Sequence, residues 1–251
     1  MVLRYRIDLP LDSPERTLLH KEIISRKTFL RKLYTKWYTW MVREIEQLPD
    51  GLLIELGSGG GFFKDFVPKV ICSDILDLPC NDMTFSALEM PFEDDSVSGI
   101  FMVDAFHHIP DSEKFLSEAK RVLKKDGIIM MIEPANSRWG RFIYKNFHHE
   151  PFEPSSNWKI PISGPMSGAN GALPWIVFQR DKTIFEDKYP SFEIFENKYH
   201  TPLLYLLSGG VSFRQFVPGF FYFFFHLLDR LMTGISSQLS MFMTIKIRKK
   251  Q

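Results

Sequence analysis

The chain has 251 residues, 45% of them hydrophobic and 24% charged, and a formal net charge of +1. That length suits one α/β domain with an elaborated lid, or at most two small domains, and the charge balance offers no global field for nucleic acid. The two cysteines, Cys72 and Cys80, fit neither a zinc nor a redox spacing and make no disulfide framework, as expected for reduced thiols in a cytosolic protein.

The first ten residues carry Arg4, Arg6 and Asp8 and lack the continuous apolar core of a signal peptide. Ser13-Pro14-Glu15 is a helix start, a capping hydroxyl followed by proline at the first helical position. One long basic, aromatic helical region is expected from there to about Gln47, stopped by the turn Leu48-Pro49-Asp50-Gly51. Leu52-Leu53-Ile54-Glu55-Leu56 reads as a buried parallel strand. The glycine loop Gly57-Ser58-Gly59-Gly60-Gly61 follows it, then a short helix over 62–67. A second strand over 70–74 ends on Asp74. The connector 75–82 shows no helix and is short, and a third strand is expected over 83–87.

An acidic turn at 91–96 leads to a fourth strand, 97–103, ending at Asp104. Asp111-Ser112 caps a helix over 113–124 whose Phe115, Leu116, Ala119, Val122 and Leu123 share one face. Lys124-Lys125-Asp126-Gly127 closes that helix, and a fifth strand, 128–132, ends at Glu133-Pro134. Residues 135–188 are rich in Pro, Gly, His and Trp without a clear period. They are expected to form an active-site insertion on the carboxyl edge of the sheet. Two final strands are expected over 192–199 and 239–247. The apolar run 216–228 contains Phe220-Phe221-Tyr222-Phe223-Phe224-Phe225 and is too short to span a bilayer. Its length favours a buried helix, with a helix lying on a membrane surface as the alternative. Strands alternating with helical segments predict a parallel, doubly wound sheet.

A glycine loop between a buried strand and a helix turns backbone N–H groups toward a ligand. A dinucleotide fingerprint requires glycines at the first, third and sixth positions, and counting from Gly57 the sixth position is Phe62, which argues against NAD. Asp74, one strand later, is placed to accept ribose hydroxyls, with a turn cap as the plainer alternative.

Here the chain resembles a known family. Glu55-Leu56-Gly57-Ser58-Gly59-Gly60-Gly61 is similar to motif I of class I methyltransferases dependent on S-adenosylmethionine (SAM). Ala87-Leu88-Glu89-Met90-Pro91-Phe92-Glu93-Asp94-Asp95-Ser96, Phe106-His107-His108-Ile109 and Arg121-Val122-Leu123-Lys124-Lys125-Asp126-Gly127 resemble three further segments of the type-11 branch, typified by quinone-biosynthesis enzymes. The resemblance covers about Leu52 to Pro134. It implies a Rossmann-like, mostly parallel seven-stranded sheet with an antiparallel C-terminal strand and a lid insertion. It also implies a single methyltransferase domain over 1–251: a helical cap at 1–50, the SAM-binding core at 51–134, and substrate-side insertions at 135–190 and 200–237.

By that resemblance Gly57, Ser58, Gly59 and Gly61 would hold the methionine part of SAM, the product being S-adenosylhomocysteine. Glu55 would support the loop and the SAM amino group. Asp74 would bind the ribose, Ile75 the adenine face, Ala87 and Leu88 the adenine site, and Asp104 and Ala105 would sit beside the methionine moiety. Ser86 departs from the family's frequent Asp, and the short 75–82 segment implies a missing helix on that face.

A sulfonium methyl is already a strong electrophile, so positioning carries much of the rate. A hydroxyl nucleophile also needs its proton removed, for which histidine is suited. The candidate bases are His107 and His108 after the fourth strand, and His148 and His149 in the insertion, the latter pair favoured. His148, His149 and Glu150 are weighed as a chelating group, but no spacing matches a known site and no metal is expected. The aromatic insertion and the apolar C-terminal stretch point to a small or lipid-linked hydroxyl acceptor. They also imply a cytoplasmic protein with peripheral membrane contact through 216–232. A non-catalytic scaffold with a collapsed cofactor pocket is the alternative. No nucleic-acid partner is expected, since an N-P-P-Y type motif is lacking.

Overall fold

The structure, a computed structural model, describes residues 5, 7–161 and 163–250. Residues 1–4 and 6 lie outside the described residues, and with them half of the stretch on which the absence of a signal peptide was argued. Helix α1 (Pro14–Arg26) begins where expected, the Ser13 hydroxyl accepting the Arg16 N–H at 3.2 Å. The expected single helix is in fact two. The chain straightens at Lys27 (φ −88°, ψ 108°) and α2 runs Thr28–Ile45. No glycine or proline marks this break. Its cause is tertiary: the Lys27 ammonium donates to the Gly210 and Phe213 carbonyls, the latter at 2.6 Å, tying the elbow to a distant loop.

The strands are β1 (Leu52–Leu56), β2 (Ile71–Asp74), β3 (Met83–Thr84), β4 (Val97–Val103), β5 (Leu123–Pro134), β6 (Phe192–His200) and β7 (Phe242–Lys249). They form one seven-stranded sheet in the order β3-β2-β1-β4-β5-β7-β6. The first five are parallel, and β7 is antiparallel to both β5 and β6. This is the Rossmann-like sheet expected, with its antiparallel C-terminal strand. Every residue of β4 is buried, Ser98 included, so its largely apolar sequence is that of a strand covered on both faces. A chain of rings joins α2 to the sheet, with Tyr38 stacked on Phe63 (5.1 Å) and Phe63 edge-on to Phe101 (5.2 Å). Trp37 packs on Phe242 of β7 at 4.9 Å.

Several boundaries differ from expectation for local reasons. Residues 62–65 form a single 3-10 turn rather than an α-helix, and no helix intervenes between β2 and β3. β3 stops at Thr84, because Ser86-Ala87-Leu88 leave the sheet to line a cavity. Helix α3 (Ser112–Val122) is capped by Asp111, which accepts the Lys114 N–H at 3.0 Å. The expected turn 124–127 is absorbed into β5 as a bulge: Val97 pairs with Leu123 and Gly99 with Ile128, and Asp126 takes a φ of 63°.

The insertion is more ordered than its composition suggests. It contains α4 (Arg138–Phe147), the short helix α5 (Leu173–Trp175), a π-helical turn (Ile176–Arg180) and α6 (Lys182–Lys188). Ser137 caps α4 through the Gly140 N–H at 2.8 Å. Aromatic residues and a glycine, which are weak helix formers in isolation, hid this element; packing stabilises it. After β6 come α7 (Leu204–Ser208) and α8 (Tyr222–Ile235). The apolar run of α8 is not buried, contrary to the reading its length favoured. Phe220 is 75% exposed, Phe223 72% and Ile235 79%, whereas Tyr222 and Asp229 face inward. Among the described residues, no helix is long and apolar enough to cross a membrane.

Candidate functional site

The glycine loop lies at the carboxyl end of β1, where an open α/β sheet binds its ligands. Three left-handed glycines, Gly57 (φ 63°), Gly59 (φ 49°) and Gly61 (φ 65°), fold it back on itself. Ser58 staples the loop to β2. Its N–H donates to Ser73 O (2.9 Å), and its hydroxyl donates to Glu55 O (3.1 Å) while accepting the Ser73 N–H (3.1 Å). Asp74 accepts the Gly59 N–H at 3.0 Å with one oxygen and the Leu76 N–H at 3.0 Å with the other. Burial raises the pKa of that carboxyl, and these backbone donors act against the rise.

Beside this loop is a cavity of about 310 Å³. Gly57, Gly59, Asp74 and Ile75 line one side, and Phe85, Ala87 and Leu88 line a second. Asp104, Ala105 and His108 line a third, and Thr17 of α1 borders it. Ile160, Pro161, Gly164, Pro165, Met166 and Gly168 roof it, and Asp12 holds this roof down, accepting the Met166 and Ser167 N–H groups at 2.7 and 2.8 Å and the Ser167 hydroxyl at 2.7 Å. Gly57 leaves no room for a side chain: a Cβ there would sit 2.7 Å from that of Ala105.

Three residues expected in the cofactor site fall outside this lining. Ser58 is buried in the staple. Gly61 packs so closely on the neighbouring segment that a Cβ would lie 2.7 Å from Cys80 O. The Glu55 carboxylate points into the core and accepts the Cys72 thiol at 3.6 Å, and burial pushes its pKa up to about 7.

The type-11 segments pack together around this cavity. Arg121 donates to Phe92 O (2.7 Å), Met90 O (2.9 Å) and Asp94 (2.9 Å), locking the acidic turn beneath the Ala87-Leu88 wall. At the end of β4 the chain turns sharply through Asp104 (φ 57°). The wholly buried Glu133 holds this turn, accepting the Ala105 N–H (2.9 Å), the Phe106 N–H (2.7 Å) and His107 Nδ1–H (2.7 Å).

The four histidines converge on Glu150. His107 Nε2 lies 3.2 Å from it, His108 Nε2 3.7 Å, His148 Nδ1 3.7 Å and His149 Nε2 3.6 Å. Burial opposes a charged His107, but the Glu133 and Glu150 carboxylates prevail and hold its pKa well above the ordinary value. His108 donates Nδ1–H to Gly168 O at 3.0 Å and lines the large cavity. His148 and His149 instead line a second, apolar cavity of about 160 Å³ with Phe147, Tyr205, Phe213 and Phe216. Asp104 borders both the large cavity and a small one of about 10 Å³ shared with Tyr144, His148, Glu150 and Tyr205. Burial raises the Asp104 pKa to about 7. Sequence reasoning missed Glu133, the Asp12 latch and Tyr205. The only signal for Glu133 was a carboxylate at a strand end, the same signal that picked out Asp74.

Residues 54–131 match the family model described as a methyltransferase domain. Over those residues this chain is similar to a methyltransferase domain. Solved structures agree in fold. A chain from the complex between the Haloferax volcanii Trm112 methyltransferase activator and the putative methyltransferase matches with 11% identity and a TM-score of 0.53, over 96% of this chain and 99% of that one. The geranyl diphosphate C-methyltransferase of Streptomyces coelicolor A3(2) matches with 12% identity and a TM-score of 0.52, over 100% and 87%. A Haemonchus contortus N-methyltransferase, in complex with phosphomonomethylethanolamine and S-adenosylhomocysteine, matches with 11% identity and a TM-score of 0.51, over 95% and 57%.

The large cavity fits SAM on its own features: a side-chain-free cradle at Gly57, a carboxylate at Asp74, and an apolar lining that includes Ile75 and Leu88. Gly57→Ala is therefore expected to weaken SAM binding at least tenfold by calorimetry, with the far-ultraviolet spectrum retained. Glu55 supplies a pH test. Its folded pKa of about 7 exceeds the ordinary glutamate value of 4.5, so its stabilising contribution is complete at low pH and is lost as pH rises through 7. Between pH 5 and 8 urea denaturation should show a loss of about 2–3 kcal/mol from this group, a slope that Glu55→Gln removes.

Proposed function

We propose that this methyltransferase methylates a hydroxyl oxygen on a lipid-linked acceptor taken up from a membrane surface. The observation that carries the reading is the apolar cavity lined by His148, His149, Phe147, Phe213 and Phe216, in a chain that also exposes the apolar face of α8. Phe220, Phe223, Phe224, Leu227, Leu231 and Ile235 recur every three or four residues and form one apolar stripe toward solvent. Lys32 stands over the Phe223 ring at 4.9 Å, and Lys36 lies 3.5 Å from His226. An apolar face flanked by cations suits an anionic bilayer surface.

When bound, SAM supplies an electrophilic methyl group. The chain's own part is to exclude water, orient the acceptor and take its proton. The Asp12-latched roof closes the cofactor side. His149 borders the acceptor cavity with Nε2 turned toward Glu150, which leaves Nδ1 to receive the hydroxyl proton while Glu150 stabilises the resulting imidazolium. His148 is less suited, because its Nδ1 already accepts the Glu150 N–H at 3.3 Å. The scaffold reading requires a collapsed cofactor pocket, and the open 310 Å³ cavity speaks against it.

The test incubates the protein with methyl-labelled SAM and lipid extract in anionic vesicles. The expected product partitions with lipid and carries the methyl on oxygen. His149→Ala should lower kcat by about 10²–10⁴-fold with SAM affinity unchanged. The double change Phe223→Ser with Phe224→Ser should abolish vesicle binding without altering SAM affinity. A water-soluble product, or a methyl on nitrogen or carbon, contradicts the proposal.

A further inference from the structure

We propose that His107, His108 and Glu150 form a binding site for one divalent transition-metal cation of the zinc class. Sequence spacing held no such site, because the ligands come from two segments more than forty residues apart and meet only in the fold. Facing ligand atoms on a tetrahedral ion, at bonds of about 2.0–2.1 Å, stand roughly 3.3 Å from one another. His107 Nε2 and His108 Nε2 lie 3.2 and 3.7 Å from the two Glu150 oxygens, and all three ligand atoms lie within 4.8 Å of one another.

The far side of each ring is fixed in the manner of a metal ligand. His107 Nδ1 donates to the buried Glu133 carboxylate at 2.7 Å, and His108 Nδ1 donates to the Gly168 carbonyl at 3.0 Å. A carbonyl only accepts, so His108 carries its hydrogen on Nδ1, and its Nε2 lone pair faces a carboxylate oxygen. His108 Nε2 and a Glu150 oxygen, both acceptors, thus stand 3.7 Å apart in a part-buried position, and a cation bound by both and by His107, in place of the His107 Nε2 proton, would satisfy them together. The Glu133–His107 pair is the carboxylate–histidine arrangement that orients metal-bound imidazoles.

The site does not depend on the acceptor assigned above, and its test does not use activity. Protein stripped with chelator and dialysed is titrated with Zn²⁺ by calorimetry and with Co²⁺ by visible absorption. One equivalent should bind, at roughly micromolar affinity or tighter. X-ray absorption of the zinc-loaded wild type should show two imidazole nitrogens and a carboxylate. His108→Ala and Glu150→Gln should weaken binding at least tenfold, and Glu133→Gln by about 10–100-fold. Because X-ray absorption uses the wild type, a variant that fails to fold leaves the question decidable. No saturable binding, or an ion ligated by oxygen alone, overturns the proposal and leaves a proton on His107 Nε2 as the group joining the two carboxylates.

Discussion

The hydrogen bond from the Gly59 amide to Asp74 is the contact on which the rest of the site depends. It joins the loop after β1 to the end of β2 at 3.0 Å, and only a backbone free to take left-handed angles can bring that amide round. With the loop fixed there, Gly57 approaches Ala105 at the end of β4, and one wall of the cavity is built from three neighbouring strands. Parallel pairing makes this possible, since it gathers the carboxyl ends of β1, β2 and β4 on one edge of the sheet. Glu133 performs the corresponding service one strand further on, gripping two backbone amides and His107 so that the Asp104 turn stays open toward the cavity.

Much of this frame was legible in the sequence because it rests on short-range signals. β1 and β4 are largely apolar runs, Ser13 and Asp111 are caps beside their helices, and the glycine loop and Asp74 are one strand apart. What was hidden depends on contacts distant in sequence. Nothing at Lys27 announces a helix break, since the groups that cause it are Gly210 and Phe213. The Lys124–Gly127 turn was visible, but whether it ends a strand or bulges within one is decided by pairing with β4. The exposure of α8 could not be read because an apolar helix looks the same whether protein or lipid covers it.

The histidines show the same division. As residue types they stood out, and their two pairs were weighed as bases. Their sorting into roles comes from tertiary partners: His107 belongs to Glu133, His108 to the lid through Gly168, and His148 and His149 to the apolar cavity. Glu150 unites them, and a lone Glu after two histidines gave little sign that it would meet the pair from the fourth strand. The result is a site with two cavities, one glycine-walled and latched by Asp12, the other apolar and lined by Phe147, Phe213 and Phe216. Asp104 and His148 line a small space that borders both.

The account's central claim is that the space between the glycine loop and Asp74 receives the adenosyl cofactor. A crystal structure grown with S-adenosylhomocysteine tests it most directly. Density should place the ribose against Asp74, the adenine between Ile75 and Leu88, and the homocysteine chain along Gly57 and Gly59, with the segment 163–168 closed over it. Density at another surface, or an empty cavity at saturating ligand, contradicts the account.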